Sequence, residues 1–191
     1  MQNEIMQLKI ELKYITPPIW RRFLVSPSMT LSDLHYIIQI VMGWSNSHLH
    51  SFRIAGEDYS SPDPSDGFYD NDMIDSSRIK LSKLPLLRKS KFSYTYDFGD
   101  NWEHIITVED IAPAPENLIV PFCLEGQRAC PPEDCGSVPG YEGIIEALKN
   151  PKKKESKDLL EWIGEYNPEE FDIESINSIF QPRKTKRKKS K

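Results

Sequence analysis

The order of apolar and polar residues predicts a strand hairpin at the start of the chain. Residues 5–14 alternate in part between apolar and polar side chains, and residues 19–25 form a second short segment with Ile, Trp, Phe and Val. The connection at residues 16–18 is Thr-Pro-Pro, and proline restricts the backbone as a tight connection requires. We therefore expect two strands joined by a proline-stiffened turn.

A helix is expected next. Residues 34–42 carry apolar side chains at helical spacing. Thr30 and Ser32 are both candidates for the N-cap, and Gly43 follows the last apolar residue, as is common where a helix ends. The apolar stripe of this helix needs a partner surface, so we expect it to cover one face of a sheet.

The remaining pattern predicts more strands, then helices. The expected strands are residues 47–54, 91–98 and 103–108, and the expected helices are residues 141–149, 157–164 and 173–180. Residues 56–77 contain seven carboxylates and no Lys or Arg, which favours a solvated acidic loop. The order indicates an α+β domain with a mixed or antiparallel sheet, one central covering helix and a C-terminal helical layer. A β-grasp-like topology is one version of this arrangement. We expect a single domain over residues 1–181.

Composition narrows the class of protein. The 191 residues suit one domain. The first residues lack a basic start followed by an apolar run, and no stretch is apolar enough to span a membrane. Three cysteines are an odd number, which favours reduced thiols or metal ligands over a disulfide framework. We therefore expect a cytoplasmic protein without a membrane segment.

Charge is distributed unevenly. The net charge is -5, although residues Arg183–Lys191 carry seven basic side chains and no acidic one, so the rest of the chain stands at -5 - 7 = -12. Such a tail, residues 182–191, is expected to be disordered. It is either a solubilising terminus or a contact for nucleic acid. The acidic remainder argues against a general phosphate-binding surface on the folded domain.

The segment Phe122–Tyr141 concentrates the chemistry-bearing residues. It holds all three cysteines, Cys123, Cys130 and Cys135, in the spacing C-x6-C-x4-C. Three cysteines with His104, or with a histidine of the pair His48 and His50, would complete a four-ligand zinc site. The alternatives are buried neutral thiols, a pair that oxidises, and a nucleophile. A nucleophile is disfavoured because the neighbouring carboxylates oppose a thiolate.

Carboxylates supply a second candidate site. Asp97, Asp100, Glu133 and Asp134 could converge on a divalent cation, as in metal-dependent hydrolases and nucleases. The alternative is local, with Asp100 bonding its own turn and His104 serving as a structural histidine.

Other side chains are weaker candidates. His48, His50 and Trp102 are possible ligand-binding residues, since histidines two apart on a strand point the same way. Surface histidines are the simpler interpretation of that pair, and His35 is expected on the surface of the helix. Trp20 and Trp102 are expected in the core. We also expect the cysteine segment to lie beside the hairpin 97–104 and to form one concave site with it.

Several motifs together resemble a known family. They are I-W-R-R at 19–22, M-G-W at 42–44, H-L-H-S-F at 48–52, Y-D-F-G-D-N-W-E-H at 96–104, A-C-P-P-E-D-C-G at 129–136 and G-Y at 140–141. The chain resembles the plasmid Ri open-reading-frame-three-like family over about residues 4–180. Gly136-Ser137 departs from the paired glycines of many relatives. The resemblance implies a compact α+β domain of undefined activity, found also among passenger proteins of mobile elements, some with names that suggest a resolvase.

Two classes of function fit these features. We favour a binding or accessory domain without catalytic activity, connected through the family with nucleic-acid transactions of mobile elements. The other class is a metal-dependent hydrolase or nuclease that uses the carboxylates. The sequence has no recognisable nucleophile–base arrangement, and the acidic remainder opposes direct DNA binding by the folded domain.

Overall fold

The computed structural model describes residues 4–61 and 73–181. The strands are β1 Glu4–Leu12, β2 Trp20–Val25, β3 His50–Ile54, β4 Glu57–Ser60, β5 Ile74–Asp75, β6 Lys91–Tyr96, β7 Trp102–Pro113 and β8 Phe122–Gln127. The helices are α1 Leu31–Met42, α2 Ser137–Lys149, α3 Lys154–Ile163 and α4 Ile173–Phe180, and two short 3-10 turns lie at Ser76–Arg78 and Leu81–Lys83. Within the described residues, no helix has the length and apolar character needed to cross a membrane.

The described strands form one mixed sheet in the order β5-β4-β3-β6-β7-β1-β2-β8. Neighbouring strands are antiparallel except for β4 and β5, which are parallel. The predicted α+β class is confirmed, and so are the β1–β2 and β6–β7 hairpins. The predicted loop at residues 56–77 is wrong at both ends, because β4 pairs antiparallel with β3 through a tight turn and β5 pairs with β4. Part of that loop, residues 62–72, lies outside the described residues.

Local sequence signals explain why the first elements form. In β1 the even-numbered positions Met6 to Leu12 are buried and their neighbours are not, as expected for a strand with one face on the core. The N-cap of α1 is Thr30, which accepts from the Asp33 N–H while Asp33 bonds back to the Thr30 N–H. Gly43 ends the helix with a φ of 96°, a conformation that glycine adopts without strain.

The core lies between α1 and the sheet, and it contains polar groups. The Tyr94 hydroxyl lies 2.9 Å from His35 Nδ1 and accepts from Gln39 Nε2 at 3.0 Å. The expectation that His35 is a surface residue is wrong, because its side chain is buried and its ring stacks on His50 with centroids 3.4 Å apart. Trp102 is buried as predicted. Trp20 is only half-buried, with Lys9 and Arg22 over its ring, so that expectation is wrong.

Arg21 ties three elements together. Its buried guanidinium donates to the carbonyl oxygens of Val41 at the end of α1, of Trp20, and of Gln127 and Arg128 at the end of β8. The backbone that follows Arg128 is the part of the cysteine segment that carries Cys130 and Cys135. Arg21 therefore fixes where that segment leaves the sheet relative to α1.

The C-terminal helices cover the β8 side of the sheet. The Asn177 side chain on α4 accepts from the Cys123 N–H at 2.7 Å and donates to the Cys123 carbonyl at 2.9 Å. These two bonds occupy backbone groups that an edge strand would otherwise leave open to another chain. The predicted helical layer is present, with α2 and α3 each beginning a few residues earlier than expected.

Candidate functional site

The site begins at the loop between α1 and β3. Trp44 Nε1 donates to the Pro131 carbonyl at 3.1 Å, so this loop lies against the cysteine segment. The predicted strand at residue 47 starts instead at His50. His48 therefore stands in the loop, while His50 points into the core against His35. The two side chains therefore point to different parts of the protein and are not placed to bind one ligand together.

The turn after β6 supplies the first carboxylate. Asp97 has a φ of 57°, in the left-handed region that Asp visits more readily than most residues. Its Oδ1 accepts from the Gly99 N–H at 2.9 Å. The side chain is 8% exposed, and Oδ2 lies 3.7 Å from His48 Nε2.

The cysteine segment supplies two more carboxylates. Glu133 Oε1 accepts three hydrogen bonds, from the Ser45 N–H at 2.9 Å, from the Ser45 hydroxyl at 3.0 Å and from the Tyr96 hydroxyl at 3.0 Å. Its other oxygen, Oε2, is shielded from solvent, has no hydrogen-bond partner, and lies 3.8 Å from His48 Nε2. Asp134, with a φ of 56°, places Oδ1 3.1 Å from the same nitrogen.

The spacing of this group is close to that of ligands around one cation. His48, Asp97 and Asp134 each offer a ligand atom, and these three atoms lie within 4.8 Å of one another. Two ligands about 2.1 Å from one cation lie about 3.0 Å apart at right angles and about 3.4 Å apart in a tetrahedron. His48 Nε2 is shielded from solvent and makes no hydrogen bond, although three carboxylates surround it. One nitrogen of the imidazole and one oxygen of Glu133 are therefore left without a hydrogen-bond partner.

Charge at the cluster is uncompensated. In residues 4–61 and 73–181, the ion pairs of Asp97, Glu133 and Asp134 all run to His48 and none runs to Lys or Arg. Three carboxylates around one imidazole repel one another, and a divalent cation would offset that repulsion. Burial and the Glu133 carboxylate raise the pKa of Tyr96, so the tyrosine stays a hydrogen-bond donor.

Asp100 joins the two distant segments without entering the group. Its Oδ2 accepts from the Gly136 N–H at 3.0 Å. This contact confirms the expectation that the cysteine segment lies beside the hairpin 97–104. On the other side of the segment, a Cβ on Gly140 would stand 1.8 Å from the Cys135 carbonyl oxygen. Only glycine allows α2 to approach the segment this closely.

The thiols lie apart from this group. All three cysteines are free, and among the residues with described positions they form no cluster with His104 that meets metal-ligand spacing. Cys123 faces the β2 backbone, with Sγ 3.7 Å from the Arg22 carbonyl. Burial raises the pKa of Cys130 to about 12, and burial together with Asp100 does the same for Cys135. These thiols are neutral, as in the buried-thiol alternative.

His104 and Trp102 serve the core. His104 lies in β7 with no exposed surface and donates from Nδ1 to the Tyr94 carbonyl at 3.2 Å. Burial lowers its pKa to about 3. The proposed zinc set therefore does not assemble, because His104 is buried in the core and forms no ligand group with the cysteines among the described residues. Trp102 is 1% exposed and offers no surface to a ligand.

Sequence reasoning named every member of the cluster but assigned His48 to a different grouping. The sequence presented it as half of a strand pair, and nothing local connects it to residues 97 or 133–134. The sequence offered one signal. The motif that contains His48, at residues 48–52, belongs to the same set of family motifs as those at residues 96–104 and 129–136.

Most of the length of the chain matches known proteins. It is 38% identical over 165 residues to an uncharacterised protein, y4hQ, of Sinorhizobium fredii, covering 86% of this chain and 83% of that protein. It is similar to the crystal structure of MM3350, a protein of unknown function from Methanosarcina mazei Go1, with a TM-score of 0.83 and 36% identity over 92% of this chain and 98% of that one. A family model for plasmid pRiA4b ORF-3-like proteins matches residues 4–175. The chain therefore belongs to the plasmid pRiA4b ORF-3-like family.

Proposed function

We propose that this protein is a binding domain for a divalent cation, held by His48, Asp97 and Asp134 with Glu133 as a fourth ligand. The observation that carries the proposal is the position of His48 Nε2, which lies within 3.1–3.8 Å of carboxylate oxygens from two other segments without a hydrogen bond. A nitrogen and several oxygens, with no thiolate, suit Mn²⁺, Fe²⁺ or Zn²⁺ better than a soft metal.

The hydrogen bonds of Glu133 support the proposed cation site. Three donors saturate one oxygen and fix the carboxylate, while the other oxygen is kept dry and unpaired toward His48. An unpaired buried oxygen costs about 1–3 kcal/mol, and a bound cation would recover that cost. The cation would also join the α1–β3 loop, the β6–β7 turn and the cysteine segment.

The accessory role stays our first choice, with a metal-dependent hydrolase as the second. The hydrolase is favoured by one observation. The Asp134 side chain is 70% exposed and that of His48 is 26% exposed, so a bound cation would keep a side open to water or substrate. The negative charge of three carboxylates exceeds the positive charge of one divalent cation. The loaded site would therefore stay negative, which disfavours a phosphodiester substrate. A nucleic-acid contact through Arg183–Lys191 stays a prediction, because that tail lies outside the described residues.

The test uses protein purified without a metal-chelating tag. Elemental analysis is followed by calorimetric titration of the metal-free protein with Mn²⁺, Zn²⁺, Ca²⁺ and Mg²⁺. We expect one site per chain, with affinity lost by about tenfold or more in Asp134→Asn. This exposed residue can change without disturbing the core. The matched control is Glu142→Gln, an exposed carboxylate on α2. Absence of saturable binding by any of the four ions, or equal binding by both variants, would refute the cation site.

A hydrolytic role has its own readout. Metal-loaded protein is assayed on neutral ester, amide and phosphodiester model substrates. Turnover that disappears in Asp134→Asn, but not in Glu142→Gln, would replace the accessory role with the enzyme. Cation binding without turnover supports the accessory role.

A further inference from the structure

An apolar groove of about 500 Å³ lies against the cysteine segment. The end of α1, the segment itself, and the α3–α4 region form its walls. Apolar side chains contribute most of the lining, among them Met42, Trp44, Phe171, Ile176 and Ile179. Its volume falls within the range of ligand sites in proteins.

Helix α4 leaves part of its apolar stripe uncovered on this groove. None of its eight residues is fully buried. Ile173, Ile176 and Phe180 pack partly against the core, whereas Ile179 is 62% exposed. Ile176 and Ile179 are three residues apart and both line the groove, so they present neighbouring side chains on one face of the helix.

The charges that the groove offers to a ligand are acidic. Glu133, Glu170 and Asp172 are the acidic lining residues. Glu170 and Asp172 form no ion pair in the described part of the chain, and Asp172 accepts only from Ser175 within its own helix. Arg21 is the cationic residue among the lining residues, but it is buried, lies 4.4 Å beneath the Phe171 ring and donates to backbone carbonyls. The mouth of the groove is therefore acidic.

We propose that this groove binds a short amphipathic basic segment of another protein, with aliphatic side chains on Ile176 and Ile179 and with Lys or Arg beside Glu170 and Asp172. Apolar anchors in a groove with flanking complementary charges are a common mode of helix recognition. The chain's own tail Arg183–Lys191 has the right charge but no apolar side chain. A second copy of this acidic domain would bring like charges together.

The probe is a fluorescently labelled synthetic peptide of about 14 residues, built from leucine and lysine with leucine at helical spacing. Fluorescence anisotropy measures its binding to the full chain. We expect Ile179→Asp to weaken binding by about tenfold or more. Ile119→Asp, a substitution of the same charge at a 53% exposed position outside the groove, should change it less than about twofold. The added negative charge would by itself attract the peptide, so weakening by Ile179→Asp reports the apolar contact.

Four results would overturn the proposal. A scrambled peptide of the same composition binding equally well would show attraction by charge alone. Equal binding by Ile179→Asp and the unchanged protein would place the peptide elsewhere. Tighter binding after deletion of Arg183–Lys191 that is larger in the unchanged protein than in Ile179→Asp would identify the tail as the occupant, because loss of the tail's charge alone would strengthen binding to both. Self-association in sedimentation that Ile179→Asp abolishes would assign the groove to a second copy. Ile179 is not among the proposed cation ligands, and the peptide's charges are placed at Glu170 and Asp172, so this test and the metal titration can fail independently.

Discussion

Replacing Arg21 with leucine should destabilise the protein more than any substitution at a surface arginine. The guanidinium is 2% exposed and donates to four carbonyl oxygens, those of Trp20, Val41, Gln127 and Arg128. A buried acceptor that loses its donor costs about 1–3 kcal/mol. Leucine gains apolar burial and removes the cost of burying a charge, which offsets part of the sum. We expect a net loss of about 3–5 kcal/mol in the free energy of unfolding.

Urea unfolding followed by tryptophan fluorescence measures this change, with Arg53→Leu as the control. Arg53 bonds Asp58 at 2.6 Å on the surface, and its side chain is 61% exposed. A surface pair contributes about 0–1 kcal/mol. Arg21→Lys should lie between the two, because an ammonium cannot reach all four carbonyls. An Arg21→Leu protein within about 1 kcal/mol of the unchanged chain would refute the assignment of Arg21 as the tie between α1, β2 and β8.

Three further predictions follow from the core and the tail. Burial lowers the pKa of His35 to about 4 and of His50 and His104 to about 3, so below pH 6.5 the unfolded chain binds protons that the folded chain does not. The contribution of these neutral histidines to the free energy of unfolding should therefore be fully present above about pH 6.5. Between about pH 6.5 and pH 4 the free energy of unfolding should fall by at most about 4 kcal/mol per pH unit. Urea midpoints that stay constant between pH 7 and pH 5 would contradict this. Trp102→Ala should cost about 3–5 kcal/mol in the same unfolding assay, since the ring is fully buried, and a loss below about 1 kcal/mol would contradict its core role. Deleting Arg183–Lys191 should leave the thermal midpoint within about one degree and weaken any binding of nucleic acid in a low-salt titration; a large drop in the midpoint would show that the tail supports the fold.

Metal binding at the proposed cation site should raise the stability of the folded protein. His48, Asp97 and Asp134 come from three connections between elements, and connections are where a sheet protein opens most easily. A ligand that binds only the folded state raises its stability in proportion to the logarithm of its concentration. Thermal midpoints measured across the titration should therefore rise with metal concentration in the unchanged protein and remain flat in Asp134→Asn.

Local elements of this protein follow from its sequence. The alternation in β1, the apolar stripe of α1 between Thr30 and Gly43, and the Gly-Asp-Asn turn after β6 each depend on neighbouring residues, and each forms as predicted. The family follows from motifs that can be read without coordinates. The number of strands does not follow, because β4 and β8 are short and are held by pairing with β3 and β2.

Tertiary structure alone decided which chemical groups meet. Because β3 begins at His50, His50 follows the alternation of the strand into the core, whereas His48 lies in a loop outside the strand and is not bound by that alternation. Asp97 and Asp134, whose carboxylates lie near this loop, have left-handed backbone conformations. Asp adopts this conformation more readily than most residues, but the sequence does not show which aspartates adopt it. Tertiary packing also separates the cysteines from His104. Residue types identified the groups capable of binding a cation, while the contacts among three distant loops selected the ones that converge.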